Sequence, residues 1–353
     1  MNGLKMNTRK QSEVTSTDFD ALKVLSADFG RNPLHIQGAG GNSSIKDGDK
    51  MWIKASGTLL GDALTREVFV PVDLVRMRTA LEFDHAQSDT PAVFLIPGFS
   101  DLRPSIETSL HAVFPQRIVL HTHCIHTIAH AVQTNVCDLL AARLSEFNWA
   151  FVPYAKPGAN LARSVMKVLK PDTDVIILGN HGLIVAGETI NEVRALQNKV
   201  HSALALSVRE LAGENYSALM DRVDDGEYVL PNDLLLHQIA LSDKRVALVT
   251  AGSLYPDHVI FCGIAVTALS LNQSTYEVKQ HDKRKQPVCL IVPEGGLLLH
   301  KDASMGARLM LRCLADVIMR LPENAELNYL TQDQNYELLD WDAEKYRQAL
   351  NAE

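Results

Sequence analysis

The apolar positions in the first part of the chain are spaced as expected for two long helices. Phe19, Leu22, Leu25 and Phe29 lie three or four residues apart, which predicts an amphipathic helix over residues 17–29 with Thr17 as its N-cap and Gly30 at its end. A second long helix, with apolar residues on one face, is predicted over residues 191–211.

Short apolar runs rich in β-branched residues predict buried strands between these helices. Residues 118–120 form one run and residues 175–178 another, and apolar residues resume at 183–185. A hairpin is predicted from strands at 43–45 and 51–54 around a Lys-Asp-Gly-Asp turn. The runs at 118–120 and 175–178 both lead into histidines, so we expect functional side chains at those strand ends.

An acidic stretch at residues 221–227 interrupts this pattern, and we interpret it as a boundary. The predicted division is a flexible N-terminus over 1–16, a catalytic domain over 17–223 and a smaller α+β extension over 224–353. Four strands are predicted in the extension, at 245–250, 258–261, 288–292 and 297–299. The last two flank a Pro-Glu-Gly-Gly turn, and a helix is predicted over 303–321.

Composition narrows the class of protein. Hydrophobic residues make up 46% and charged residues 22% of the 353 positions, which is typical of a folded globular protein. The formal net charge of −8 argues against nucleic-acid binding, and the one basic triplet, at 283–285, is interpreted as a solvated loop. Five scattered cysteines without a CxxC pair, no signal-peptide pattern and no apolar run of membrane-spanning length predict a soluble cytoplasmic protein.

Histidines are concentrated after the first buried strand. His121 and His123 are two residues apart, so in a strand both would point to one face and could bind one metal ion. His181 lies between Asn180 and Gly182 at another strand end and could complete a three-histidine site. The alternative, ordinary strand histidines, stays open because spacing alone does not prove convergence.

Glu107 is the fourth candidate for this site. It follows Pro104 and Ser105, and we expect it in the first turn of a helix, where a carboxylate could be a metal ligand, a general base or a partner of the helix dipole. The histidines at 111, 126 and 130 are interpreted either as structural or as residues that contact the metal ligands without binding the metal themselves. Cys124, beside two histidines, is interpreted as a small buried residue.

The glycine-rich segment at 38–44 offers backbone amides and hydroxyls suited to an anion. A dinucleotide fingerprint would need a third glycine where Ser43 stands, and a helix rather than a strand after it, so a nucleotide-dependent oxidoreductase is disfavoured. The Lys54-Ala-Ser-Gly-Thr segment is a second candidate anion-binding turn.

These segments together resemble the class II aldolase/adducin family, of the fuculose- and rhamnulose-phosphate aldolase type. The matching segments are, in chain order, Gly-Gly-Asn-Ser-Ser at 40–44, Lys-Ala-Ser-Gly at 54–57, Arg-Pro-Ser-Ile-Glu at 103–107, His-Thr-His at 121–123 and Asn-His-Gly at 180–182. The resemblance covers roughly residues 17–211. It is closest to the aldolase half of bifunctional aldolase/short-chain dehydrogenases, which also have segments similar to Tyr-Pro-Asp-His-Val at 255–259 and Val-Pro-Glu-Gly-Gly at 292–296.

The resemblance implies a three-layer αβα fold with a largely antiparallel sheet, and a Zn²⁺ ion, or another divalent cation, held by His121, His123 and His181. It implies that Glu107 is the metal-proximal acid or base. It also implies a substrate-phosphate cradle formed by Asn42, Ser56, Gly57 and Ser105. Further candidates for binding are Lys54, Tyr154 and Lys156. Family members are commonly cyclic tetramers with sites at subunit interfaces, so a homo-oligomer is expected.

The predicted function is a zinc-dependent lyase that cleaves a ketose or ketose phosphate by a retro-aldol step through a metal-stabilised enediolate. Ile106 stands where the phosphate-binding aldolases typically have a second serine, so whether the substrate carries a phosphate stays open. The alternatives are an epimerase, decarboxylase or dehydratase on the same scaffold, or a non-catalytic module like the adducin head domain, which would lack the metal histidines. The predicted partner is a small sugar or sugar phosphate, with neither nucleic acid nor membrane.

Overall fold

The computed structural model describes residues 15–99, 101–211, 226–270 and 286–342, together with the single positions 219, 275 and 345. Within these residues no helix is both long and apolar enough to cross a membrane. Three sequence predictions fall wholly or largely outside them: the flexible N-terminus over 1–16, the acidic boundary near 224 and the basic triplet at 283–285.

A seven-stranded sheet forms the centre of the larger part of the chain. Its strands are β1 (Asn42–Asp47), β2 (Lys50–Lys54), β3 (Phe69–Asp73), β4 (Ile118–Thr122), β5 (Trp149–Val152), β6 (Val175–Leu178) and β7 (Gly182–Gly187). The strand order is β3-β2-β1-β4-β7-β6-β5, and every neighbouring pair is antiparallel except β5 with β6. The predicted hairpin and the strands at 118–120, 175–178 and 183–185 are therefore confirmed.

Helices cover both faces of this sheet, as the three-layer prediction requires. They are α1 (Ser16–Gly30), α2 (Leu74–Glu82), α3 (Thr108–Ala112), α4 (Ile125–Ala131), α5 (Val136–Arg143), α6 (Ala159–Val168) and α7 (Ile190–Ala203). In β4 the buried side chains alternate: Ile118 and Leu120 pack in the same cluster as α1 and α7, whereas Val119 packs in the cluster of α6. Both faces of β4 are buried, so a polar side chain on this strand needs a buried partner.

The C-terminal part contains a second sheet of four strands, in the order β8-β11-β10-β9. Its elements are β8 (Tyr228–Val229), α8 (Leu234–Gln238), α9 (Asp243–Thr250), α10 (Pro256–Cys262), β9 (Thr267–Ala268), β10 (Cys289–Val292), β11 (Gly296–His300), α11 (Met305–Ile318) and α12 (Gln332–Leu339). The predicted hairpin around the Pro-Glu-Gly-Gly turn and the helix after it are confirmed.

Two predicted strands in this part are wrong, because residues 245–250 and 258–261 lie in helices α9 and α10. Both stretches are rich in β-branched residues, which favour strands. The residues before them decide otherwise. Ser242 is the N-cap of α9, with Asp243 in the first turn, and Pro256 occupies the first position of α10, where its fixed φ suits a helix.

Two predicted helix boundaries also need correction. The N-cap of the first helix lies two residues earlier than predicted, since it is Thr15 and not Thr17, and Asp18 completes a capping box. The helix predicted over 191–211 ends at Ala203. Glu107 lies at the N-cap position of α3, immediately before the helix rather than within its first turn.

One hydrophobic cluster joins the two parts. It contains Ile125 and Ile128 of α4 together with residues of α8, α9, β10, β11 and α11. Helix α4 directly follows His123, so packing by the C-terminal part reaches the segment that carries the candidate metal ligands. The division at 224 as a domain boundary stays a prediction.

Candidate metal centre

Four buried side chains from three separate segments converge beside the end of β4. His123 Nε2 lies 3.2 Å from His121 Nε2. The Glu107 carboxylate lies 3.5 Å from His121 Nε2 and 3.4 Å from His181 Nε2. One potential ligand atom from each of the four lies within 4.8 Å of those from the others. Three imidazoles and a carboxylate at this spacing match the donor set of a zinc site.

The strand ends explain how the histidines meet. His121 is in β4, His123 follows that strand, and β7, which carries Gly182, pairs with β4 opposite them. A Cβ atom at Gly182 would lie 2.4 Å from the Thr122 carbonyl oxygen, so only glycine fits there. Asn180, in the turn before it, has the left-handed φ of 53° that reverses the chain and brings His181 to the site.

The Nδ1 atoms of two of these histidines have fixed partners. His121 Nδ1 lies 3.0 Å from the Leu183 carbonyl oxygen, which can only accept, so Nδ1 donates and Nε2 keeps its lone pair. His123 Nδ1 lies 3.0 Å from Asp257 Oδ2. His181 Nδ1 is buried and has no hydrogen-bond partner within the described ranges. These contacts orient the Nε2 atoms of His121 and His123 towards one point.

Burial keeps His121 and His181 neutral. It lowers the pKa of His181 to about 3, and it also lowers the pKa of His121 from its ordinary value. A neutral imidazole is the form that binds a metal, so these two nitrogens are available as ligands at neutral pH.

The Glu107 carboxylate is held ionised. Burial by itself would raise its pKa, but the neighbouring histidines and a hydrogen bond from Asn42 outweigh burial and lower the pKa to about 2. Asn42 Nδ2 donates to Glu107 Oε2 at 2.8 Å and lies 3.2 Å from Ser105 Oγ. Glu107 Oε1 is buried and has no hydrogen-bond donor in the described part of the chain, as expected for an oxygen that faces a cation.

A chain of buried polar groups supports Asn42 from behind. Asn42 Oδ1 accepts from His111 Nε2, and His111 Nδ1 lies 2.8 Å from Ser44 Oγ. Burial lowers the pKa of His111 well below its ordinary value, so the ring is neutral. His111, interpreted from sequence as structural, therefore fixes the amide that fixes Glu107.

A pocket opens beside the converging side chains and is lined by three of them, Glu107, His123 and His181. All four predicted cradle residues line it, as does one of the further candidates: Asn42, Ser56, Gly57, Ser105 and Lys54. Lys54 is buried, and its Nζ donates to the Ala39 carbonyl oxygen at 3.1 Å. Pro256 and Asp257, from the C-terminal part, line the same pocket.

The two remaining candidates lie elsewhere. Lys156 Nζ sits 4.7 Å above the ring of Trp341, and Tyr154 packs beside a cluster of the C-terminal part, where burial raises the pKa of its hydroxyl. Neither residue lines the pocket over Glu107.

A second group of potential ligands comprises His35, Cys124 and His201. The rings of His35 and His201 are 4.3 Å apart and only 38° from parallel, which is close to stacking. The three histidines around Glu107 instead have centroids 4.9 to 5.1 Å apart and planes 60° to 81° apart. Cys124 Sγ lies 3.4 Å from His201 Nδ1, a hydrogen-bonding contact. This group is therefore best described as packed, hydrogen-bonded side chains.

Sequence reasoning missed Asp257 as a site residue. Residues 255–259 were noted only for their similarity to a family segment, and 258–261 were expected to form a strand. The Tyr-Pro-Asp sequence predicts a helix start, since proline suits the first helical position and an acidic residue suits the first turn. Nothing local indicates that this helix reaches His123.

Known proteins match the part of the chain that carries the site. Residues 26–208, just over half of the chain, match the family model described as Class II Aldolase and Adducin N-terminal domain. The uncharacterized oxidoreductase YuxG of Bacillus subtilis is 29% identical over 164 residues, which is 42% of this chain and 24% of YuxG. The chain therefore spans about a quarter of that relative's length.

Two further relatives are shorter. The L-fuculose phosphate aldolase of Methanocaldococcus jannaschii is 26% identical over 163 residues, covering 44% of this chain and 77% of that protein. Among solved structures, the N-terminal class II aldolase domain of a conserved protein from Thermoplasma acidophilum is 28% identical with a TM-score of 0.48, covering 56% of this chain and 97% of that one.

Proposed function

This chain belongs to the class II aldolase and adducin family, and from that premise we propose that it is a metal-dependent lyase. The proposed reaction is retro-aldol cleavage of a ketose or ketose phosphate, with Zn²⁺ held by His121, His123 and His181. The observation that supports this most is the convergence of three buried imidazoles on a buried, ionised carboxylate.

The residues present fit a divalent cation. Glu107 Oε1 has no hydrogen-bond donor among the described residues, and a second carboxylate, that of Asp257, lies on the far side of His123. Two buried carboxylates beside neutral imidazoles leave negative charge that a dication balances. When bound, such an ion supplies a Lewis acid that stabilises the charge developing on the substrate oxygens.

Glu107 is the proposed proton carrier. Its low pKa makes the carboxylate the resting form, which can accept the proton from the carbon that becomes the nucleophile in the aldol direction. In the cleavage direction the hydroxyl on the carbon that becomes the aldehyde loses its proton as the carbon–carbon bond breaks, and Glu107 takes up that proton and gives it to the carbon left with the negative charge. Asn42 fixes the carboxylate by its 2.8 Å hydrogen bond, so the proton acceptor is held in one orientation.

The pocket wall is the proposed binding site for the remainder of the substrate. Ser56 and Gly57 lie in the turn after β2, where Gly57 has a φ of 77° that exposes backbone groups to the pocket. Asn42 and Ser105 bond each other and the Glu107 carboxylate or its backbone amide, so both also position the acid or base. Whether the anchored group is a phosphate, and whether the protein is a homo-oligomer, stay predictions.

The first experiment measures zinc in purified protein by mass spectrometry, comparing wild type with His123→Ala, His121→Ala and His181→Ala. We expect about one zinc per chain in the wild type and a loss in each variant, because a three-histidine site depends on every ligand. His201→Ala is the matched control, since it removes an imidazole from the stacked pair and should leave the zinc in place.

The second experiment incubates zinc-loaded protein with ketoses and their 1-phosphates and identifies the products. Release of an aldehyde together with a three-carbon ketone supports the lyase; carbon dioxide, an epimer or loss of water would indicate another reaction on the same scaffold. A wild-type protein that holds no metal even after exposure to zinc would refute the proposal and favour a non-catalytic module.

A further inference from the structure

Asp257 brings a carboxylate from the C-terminal part to the metal centre. It is the second residue of helix α10, and its Oδ2 lies 3.0 Å from His123 Nδ1. The side chain of Asp257 is 3% exposed and that of His123 9% exposed, so the contact is shielded from water. Asp257 lies outside residues 26–208, which match the family model.

The start of α10 is held in place from several directions. Pro256 fixes φ at the first helical position, and Tyr255 before it is extended. The Leu254 amide donates to His258 Nδ1 at 3.3 Å, which closes the turn onto the helix. The helix itself packs against α11 and α12. The position of Asp257 is therefore set by the fold of the C-terminal part.

The same segment is also tied to the loop that carries His181. Asn180 Nδ2 lies 2.9 Å from the Leu254 carbonyl oxygen and 2.7 Å from that of Asn328. Both carbonyls belong to the C-terminal part. Residues 254–257 thus contact both histidine-bearing segments of the site, one through Asn180 and the other through Asp257.

The geometry leaves one role for this carboxylate. His123 Nε2 lies 3.2 Å from His121 Nε2 and faces the metal position, whereas Nδ1, on the other side of the ring, faces Asp257. A carboxylate 3.0 Å from Nδ1 favours the tautomer that carries its proton on Nδ1 and leaves Nε2 free, and its charge makes Nε2 a stronger donor to a metal.

We propose that Asp257 is a positioning residue for the metal ligand His123, and that the C-terminal part thereby completes the metal centre within a single chain. This inference rests on the proposed metal site but not on the reaction. Residues outside 26–208, which match the family model, thereby contribute to the functional site, because without Asp257 the ring of His123 loses the partner that orients it.

The test measures zinc dissociation from loaded protein in the presence of a chromogenic chelator. Asp257→Ala removes the acceptor, so we expect dissociation 10- to 100-fold faster than in wild type, the usual cost of losing such a partner. Asp257→Asn keeps an oxygen that can accept the Nδ1–H but loses the charge. We therefore expect a smaller increase, a partial rescue that loss of packing alone would not produce.

Asp316→Asn is the matched control. It is the same acid-to-amide change at a buried residue of the C-terminal part, and the hydrogen-bond and ion-pair partners of Asp316 are Arg312 and Arg320 rather than the metal-centre residues. This variant should be less stable but should release zinc at the wild-type rate. Loading with Co²⁺ adds a spectroscopic signature: the visible bands should shift in Asp257→Asn and stay unchanged in Asp316→Asn.

The outcomes distinguish a failure of the proposal for Asp257 from a failure of the proposed function. A wild type without metal would overturn the metal centre itself. A wild type that binds zinc, with the wild-type dissociation rate in both Asp257 variants, would overturn only the role of Asp257. Should Asp257→Ala fail to fold, wild-type rate and cobalt spectrum in Asp257→Asn would overturn it equally.

Discussion

Gly40→Ala should weaken metal binding through a single added methyl group. A Cβ atom at Gly40 would lie 2.7 Å from His123 Nδ1, 3.0 Å from the Gln37 carbonyl oxygen and 3.1 Å from His123 Cε1. Since carbon packs comfortably at about 3.5 Å or more, the imidazole must move by roughly 0.7 Å. Gly40 has no left-handed φ, so alanine strains the local backbone little and the effect falls on the ring.

Two opposing contributions determine the stability of the Gly40→Ala protein. Overpacking a buried position costs about 1–3 kcal/mol, while replacing glycine by alanine gains about 0.4–1 kcal/mol through the unfolded chain. We therefore expect a net destabilisation between about 0 and 2.6 kcal/mol, centred near 1 kcal/mol. Displacing the ligand ring should lower zinc affinity by about 10- to 100-fold, which corresponds to about 1.4–2.7 kcal/mol of binding free energy.

The assay pairs urea unfolding of the metal-free protein with a chelator competition for zinc. Gly61→Ala is the control, since its Cβ would meet Arg31 Cγ at 3.2 Å and the Gly30 carbonyl oxygen at 3.3 Å, a tight but less crowded site without a metal ligand. It should lose some stability and no zinc affinity. A folded Gly40→Ala protein with wild-type affinity would refute the close approach of this loop to His123.

Three further predictions concern other groups. Glu107→Gln should keep zinc, which the three histidines hold, and lose most turnover because the amide cannot carry the proton; loss of zinc would show that Glu107 is mainly a ligand. Asn180→Ala should lower the free energy of unfolding by about 2–4 kcal/mol, because it loses two hydrogen bonds and places alanine in a left-handed conformation. Asn180→Gly loses the same hydrogen bonds without that strain, so its free energy of unfolding should fall by less. Equal decreases in the two variants would exclude the contribution from strain. His258 is buried, and burial lowers its pKa from 6.5 to about 4. Between pH 6.5 and pH 4 this histidine is therefore protonated in the unfolded chain but neutral in the folded chain. As the pH falls through this range, the free energy of unfolding decreases by up to about 1.4 kcal/mol per pH unit. Urea unfolding at pH 7, 6 and 5 should show a shallower drop in His258→Asn, and parallel curves would contradict this.

Local pattern predicted much of the fold. The runs at 118–120, 175–178 and 183–185 form strands, because buried strands read as continuous apolar segments. The runs at 245–250 and 258–261 have a similar composition but form helices, since capping residues and a proline decide short segments that composition leaves ambiguous.

The residues of the candidate site could likewise be predicted from the sequence only in part. Glu107 and the three histidines could be picked out from residue type and spacing, and the structure brings them together, although their role in metal binding stays a prediction. Asp257 could not be picked out from the sequence, because its contact with His123 depends on how the C-terminal part packs against α4. The hydrogen-bond partners of His111 could not be predicted either, because Asn42 and Ser44 lie in β1, far in sequence from helix α3.

The bonds from Asn180 have a consequence for how the protein is made. The seventh strand of the large sheet ends at Gly187, but one carbonyl that holds Asn180 lies 148 residues further along the chain than Asn180 itself. A ribosome therefore completes the sheet and all three histidines long before it delivers the groups that orient them. If the proposed metal centre holds, a nascent chain would acquire its full metal affinity late, once its C-terminal part has been translated and has docked.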